Sequence, residues 1–114
     1  MKSAYEKLPP RIGDILRQLK SGLSRLYGKR LCEMWLFGSY ARGTADEFSD
    51  LDVVVVLDSV SSTLGEISKI NDVATPLSLE NDLLISAIPV DDDSVKHRRS
   101  NFIRNVLAEG VELT

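Results

Sequence analysis

Asp50 and Asp52 stand one residue apart in the stretch GSYARGTADEFSDLDVVVV, residues 38–56, with Asp52 immediately ahead of four consecutive valines. In an extended chain, residues i and i+2 share a face, so both carboxylates point the same way while Leu51 and Val53 point the other. Two like charges held together repel, and a divalent cation relieves that repulsion. Mg2+ completes its octahedral shell with carboxylates, waters and substrate phosphates. Upstream, Gly38-Ser39 closes an apolar segment in a turn whose backbone N–H groups, serine hydroxyl and following helix start suit a phosphate. Asp82, beside Asn81 and ahead of an apolar run, would bring a third carboxylate to a strand end. Three acids on adjacent strands can hold two metal ions, the arrangement that serves in-line phosphoryl and nucleotidyl transfer. Each part alone has a plainer explanation, Gly-Ser as a strand-ending turn and Asp-x-Asp as a solvated strand end. The combination is much rarer than its parts.

These residues need elements to position them. Ile12, Ile15, Leu16, Leu19, Leu23, Leu26 and Tyr27 recur at three- and four-residue steps after Pro9-Pro10, which predicts a first helix stopping at Gly28. Leu31 to Phe37 is short, apolar and aromatic and reads as a buried strand, with SYAR as the start of a short helix after Gly38. LDVVVVLD is the second strand. Ser61 and Ser62 cap a helix carrying Leu64, Ile67, Ile70, Val73 and Ala74, which either kinks or stops at Pro76. Residues 82–90, DLLISAIPV, form the third strand, followed by an acidic turn at Asp91 to Asp93. Phe102, Ile103, Val106 and Leu107 mark a last amphipathic helix, capped by Ser100 or Asn101 and ending at Gly110. The pattern predicts one α/β (α+β) domain over residues 1–114, a small mixed sheet with helices packed on it.

The chain has 114 residues, 43% apolar and 27% charged, as expected of a globular protein. Its longest apolar run is far shorter than the ~20 residues of a membrane span, and its start lacks a secretion signal, so a cytoplasmic location is expected. The lone Cys32 cannot form an internal disulfide and is expected to be a small buried side chain. Charge is segregated along the chain: residues 1–30 carry eight Lys/Arg against two acids, residues 31–93 two against thirteen, and residues 94–114 four against two. So acidic a centre needs cations against it, either metal ions or the basic flanks. With a net charge of −3, the chain lacks the basic balance of a direct nucleic-acid binder.

The run Gly38-Ser39-Tyr40-Ala41-Arg42-Gly43, followed by Ser49-Asp50-Leu51-Asp52, resembles the signature of the polymerase-beta-like nucleotidyltransferase superfamily, G-S-x-A-R-G and then S-D-x-D. The short chain and its ending FIRNVLAEGVEL are similar to the minimal nucleotidyltransferase branch, small proteins found with HEPN-domain partners in toxin–antitoxin pairs. The likeness runs from Leu31 to the end of the chain. It implies that Gly38 and Ser39 hold a triphosphate, that Asp50 and Asp52 ligate two Mg2+ ions, and that Asp82 is the third metal-binding carboxylate. Arg42 either touches phosphate or pairs with Asp46, Glu47 or another acid. The implied reaction moves AMP from ATP to a hydroxyl of a partner protein, a HEPN ribonuclease toxin, with this chain as antitoxin.

Two alternatives stay open at this level: transfer to a small molecule or RNA, and neutralisation of the partner by binding alone. The basic cluster KHRR, residues 96–99, reads as a solvated turn with local ion pairs. His97 has no Cys or second His to complete a zinc site. Trp35 and Phe37 are expected in or beside the sheet, and Tyr40 lies next to the Gly-Ser turn. A homo- or hetero-oligomer is compatible with the positive first helix and the apolar last one.

Overall fold

The computed structural model describes residues 2–113. Its centre is a four-stranded mixed sheet in the order β3-β2-β1-β4, from β1 (Leu31–Phe37), β2 (Leu51–Leu57), β3 (Ile85–Asp91) and β4 (Val111–Glu112). β1 runs antiparallel to β2 and β4, whereas β3 runs parallel to β2. The parallel pair needs a crossover, and α3 (Thr63–Asn81) supplies it. The other helices are α1 (Pro10–Tyr27), α2 (Ser39–Arg42), α4 (Asp92–Lys96) and α5 (Asn101–Glu109).

β2 is covered on both faces, which explains its unbroken valines. Leu51, Val53, Val55 and Leu57 join Met34, Leu36 and the apolar stripes of α1 and α3 in the larger core. Val54 and Val56 face the other way, against Val106 of α5 with Trp35, Phe37, Val90 and Val95. Asp52 occupies the position before Val54 on that second face, so alternation alone sends its carboxylate toward the α5 side.

Several expectations need correction. α3 passes through Pro76 and ends only at Asn81. Pro76 and Asp72 are both exposed, so the carbonyl that loses its helical partner faces water, while Ile70, Ala74 and Leu77 hold the inner side in the core. Leu64 is 80% exposed, and the inward position of the first turns belongs to Glu66 instead. Cys32 is exposed, because β1 bulges between Leu31 and Glu33. The acidic turn at residues 91–93 opens α4, with the Asp91 carboxylate accepting from Ser94 N at 2.6 Å. Ser62 and Ser100 cap α3 and α5. Two residues of β4 complete the sheet after Gly110.

Buried Glu66 is held by the chain around it. Arg30 Nη2 donates to Oε2 at 2.7 Å, and Tyr27 Oη donates to Oε1 at 3.0 Å. The Arg30 hydrogen bond, against the opposing effect of burial, keeps the Glu66 carboxyl below its ordinary range. Burial and the Glu66 contact push the Tyr27 phenol up to about 12. A depressed folded-state pKa contributes stability above the unfolded value and loses it as pH falls through the folded one. Glu66→Leu should therefore cost about 1.5–3 kcal/mol at neutral pH, the scale of hydrogen bonds to a charged group. Urea denaturation as a function of pH should show the wild type losing this advantage below pH 4.5, while the variant is flatter there.

Candidate active site

The turn between β1 and β2 is built around Gly38, at φ 75° and ψ −155°. A side chain there would be strained, and its Cβ would collide with Asp52 Oδ2. Register explains the closeness, because Phe37 pairs directly with Asp52. α2 is a single turn, too short for a substantial helix dipole, so the phosphate-binding capacity expected here rests on the Ser39 hydroxyl and the turn's N–H groups. The amides of Ala41 and Arg42 both donate to the Gly38 carbonyl, at 3.1 Å, which fixes the turn. Tyr40 and Ala41 pack against the larger core, which leaves Ser39 and Arg42 as the polar side chains of this turn.

Asp50 lies exposed just before β2, and Asp52 is partly buried. Burial raises the Asp52 pKa above its ordinary value, the charge of Asp50 raises it further, and Arg42 opposes both. Here is the like-charge pair that the spacing predicts, with one carboxylate losing water. Among the described residues, no ion pair ties Arg42 to an acid. The Asp46 carboxylate is engaged inside its own loop, accepting from Phe48 N at 2.9 Å and Ser49 Oγ at 3.2 Å. Of the two roles open to Arg42, the acid pairing is not formed.

Asp82 is not brought to this pair. It is the C-cap of α3 in the left-handed region, φ 48°, with its N–H bonded to the Ser78 carbonyl, and β3 begins three residues later. The same helix end is tied to α1 by a hydrogen bond from Arg11 to the Asn81 carbonyl. Among the described residues, no three His, Cys, Asp or Glu side chains form a metal-binding group. Asn-Asp ahead of an apolar run looks like a strand start, but a short polar side chain is also what a left-handed helix end tolerates. The residue that pairs with Asp52 on β3 is Ser86, which the sequence alone did not single out.

Beside Gly38 a pocket of about 210 Å3 opens toward α5, with Phe37 and Arg42 on one side and Phe102, Asn105 and Glu109 on the other. α5 was legible as an amphipathic helix, but nothing in its spacing revealed that its outer residues would overlook the Gly-Ser turn. Farther along, KHRR forms local pairs, Lys96 with Asp92 at 2.9 Å and Arg99 with Asp93 at 2.8 Å.

The field at Asp52 can be checked directly. Asp50→Asn should lower the Asp52 pKa by removing a like charge, and Arg42→Ala should raise it by removing the opposing one. Carboxyl carbon NMR titration of each variant reads both shifts. Gly38→Ala should disturb the same resonance and lower the thermal midpoint.

Comparison with known proteins matches residues 16–107 to the family described as nucleotidyltransferase domain. A protein of Methanocaldococcus jannaschii named "Putative protein adenylyltransferase" is 38% identical over 100 residues, covering 88% of this chain and 96% of that protein. Among solved structures, a mutant of the toxin–antitoxin MntA-HpeT has a TM-score of 0.58 at 18% identity, covering 90% of this chain and 72% of the other. A toxin–antitoxin structure with AMP-PNP has a TM-score of 0.56 at 22% identity, covering 89% and 71%. At those identities the solved structures establish a shared fold. No helix among the described residues is long and apolar enough to cross a membrane.

Proposed function

The chain belongs to the nucleotidyltransferase domain family, and from that premise we propose that it transfers AMP from ATP to a hydroxyl of a partner protein. The observation that carries this reading is the desolvated Asp52 carboxylate beside Asp50, against Gly38 and next to the Ser39 turn. In the reaction, the acceptor oxygen bonds to the α-phosphorus while the bond to the bridging oxygen breaks. The hydroxyl proton is released and pyrophosphate leaves. The Ser39 hydroxyl and the Ser39 and Tyr40 N–H groups, which the turn's own hydrogen bonds do not use, bind and orient the phosphates, and Arg42 attracts their charge. Asp50 and Asp52 fit Mg2+, which takes one or two carboxylates and fills its shell with phosphate oxygens and water. When bound, the ion neutralises charge on the attacking and leaving oxygens.

The two-carboxylate set replaces the three-acid arrangement expected with Asp82. It is compatible with Mg2+ held between the pair and the substrate. The named function of the Methanocaldococcus relative supports a protein acceptor. The toxin–antitoxin neighbours support a partner that this modification silences, for which the family resemblance suggests a HEPN ribonuclease.

α-Labelled ATP, Mg2+ and the protein encoded beside this chain provide the test. Label should appear on the partner as a mass increase of one or more AMP groups. Asp50→Asn and Asp52→Asn should each reduce transfer by about 100-fold or more, the scale for losing one electrostatic contributor to a transition state. Asp82→Asn should retain transfer. Chelating the divalent cations should abolish it. A complex that forms without any transfer of label would favour neutralisation by binding alone.

A further inference from the structure

The pocket beside Gly38 has an apolar wall and a polar rim. Phe37 and Phe102 meet edge to face, with centroids 5.3 Å apart and planes at 84°, and Val106 lies beneath them. Arg42, Asn105 and Glu109 stand at the rim. Nearby polar side chains on α4, on α5 and between them are engaged within the chain: Lys96 with Asp92, Arg99 with Asp93, and Arg104 with the Arg98 carbonyl and the Asn101 side chain. Among the described residues, the rim trio makes no such side-chain hydrogen bond or ion pair. At about 210 Å3 the pocket is below the ~300–1,000 Å3 of a site enclosing a whole drug-sized ligand. It has room for one flat ring system and adjoins the turn assigned to phosphate.

We propose that this pocket receives the base of the nucleotide and that Asn105 and Glu109 select adenine. The proposal rests on the nucleotidyl-transfer reading and deepens it. A side-chain amide offers one donor and one acceptor, which match the ring nitrogen and amino group along one edge of adenine. A carboxylate only accepts, so Glu109 takes the other amino proton. Guanine and uracil place a carbonyl oxygen where adenine has its amino group, and that oxygen faces Glu109 unfavourably. Phe37 and Phe102 provide the aromatic surface against which a base packs. Arg42, whose charge already reaches Asp52, lies toward the phosphates.

Binding of ATP, GTP and UTP to the full chain with Mg2+, measured by calorimetry without any acceptor, tests this directly. The wild type should prefer ATP. Asn105→Leu should weaken ATP by about 10-fold, within the range for a bidentate base contact, and leave GTP and UTP nearly unchanged. Asn105→Asp, which keeps the size and replaces the donor with an acceptor, should give the same loss. Glu109→Gln should narrow the preference for ATP over GTP. Both positions are exposed on α5, so thermal midpoints should match the wild type. Equal wild-type affinity for the three nucleotides would overturn the assignment, as would variants that keep the ATP preference, and either result would leave the transfer reading standing. Failure to bind any triphosphate would overturn both.

Discussion

A carboxylate at the end of a strand buried on both faces is the constraint around which this molecule is arranged. β2 contributes Val53 and Val55 to one core and Val54 and Val56 to the other, so its first turn outward on the second face is where Asp52 must lie. Losing water there disfavours the charged form, and Asp50 next door adds repulsion. An ordinary solution would be a salt bridge. Instead the nearby cation, Arg42, acts on Asp52 at a distance without pairing, and Gly38 presses close because it has no side chain. The site keeps an unsatisfied negative field, a costly arrangement for a purely structural turn and a useful one for holding a cation against phosphate.

The same economy runs through the charge pattern. Much of the basic character of the flanks is used within the fold: Arg30 spans Asp58, the Ser59 carbonyl and Glu66, while Lys96 at the end of α4 and Arg99 just beyond it meet the acids that open that helix. These contacts hold the crossover and the second sheet face in place. They do not reach the loop of Asp46, Glu47 and Asp50. The acidic centre is thus divided into acids that staple the structure and the Asp50–Asp52 pair, to which no cation is paired among the described residues.

α5 matters as much as the motif. By packing Val106 onto Val54 and Val56 it closes the second face, and in doing so carries Phe102, Asn105 and Glu109 to the edge of the Gly-Ser turn. A helix recruited for burial thereby becomes one wall of the site.

Local chemistry made much of this legible. The period of α1, the limits of β1, the serine caps of α3 and α5 and the Gly-Ser and Asp-x-Asp pairs follow from propensity, capping and alternation, which act between residues close in the chain. What lay beyond reach depended on partners distant in sequence. Glu66 displaced Leu64 from the core because Arg30 and Tyr27, more than thirty residues earlier, satisfy its charge. Asp82 became a helix end because α3 continues through Pro76 to meet Arg11, and Ser86 took the place beside Asp52 because parallel pairing set that register. The amino-acid order by itself determined the turn and the strand that carry the Gly-Ser and Asp-x-Asp groups. Only the tertiary structure decided which of them meet, because strand register and helix length are settled by burial and pairing across the whole chain.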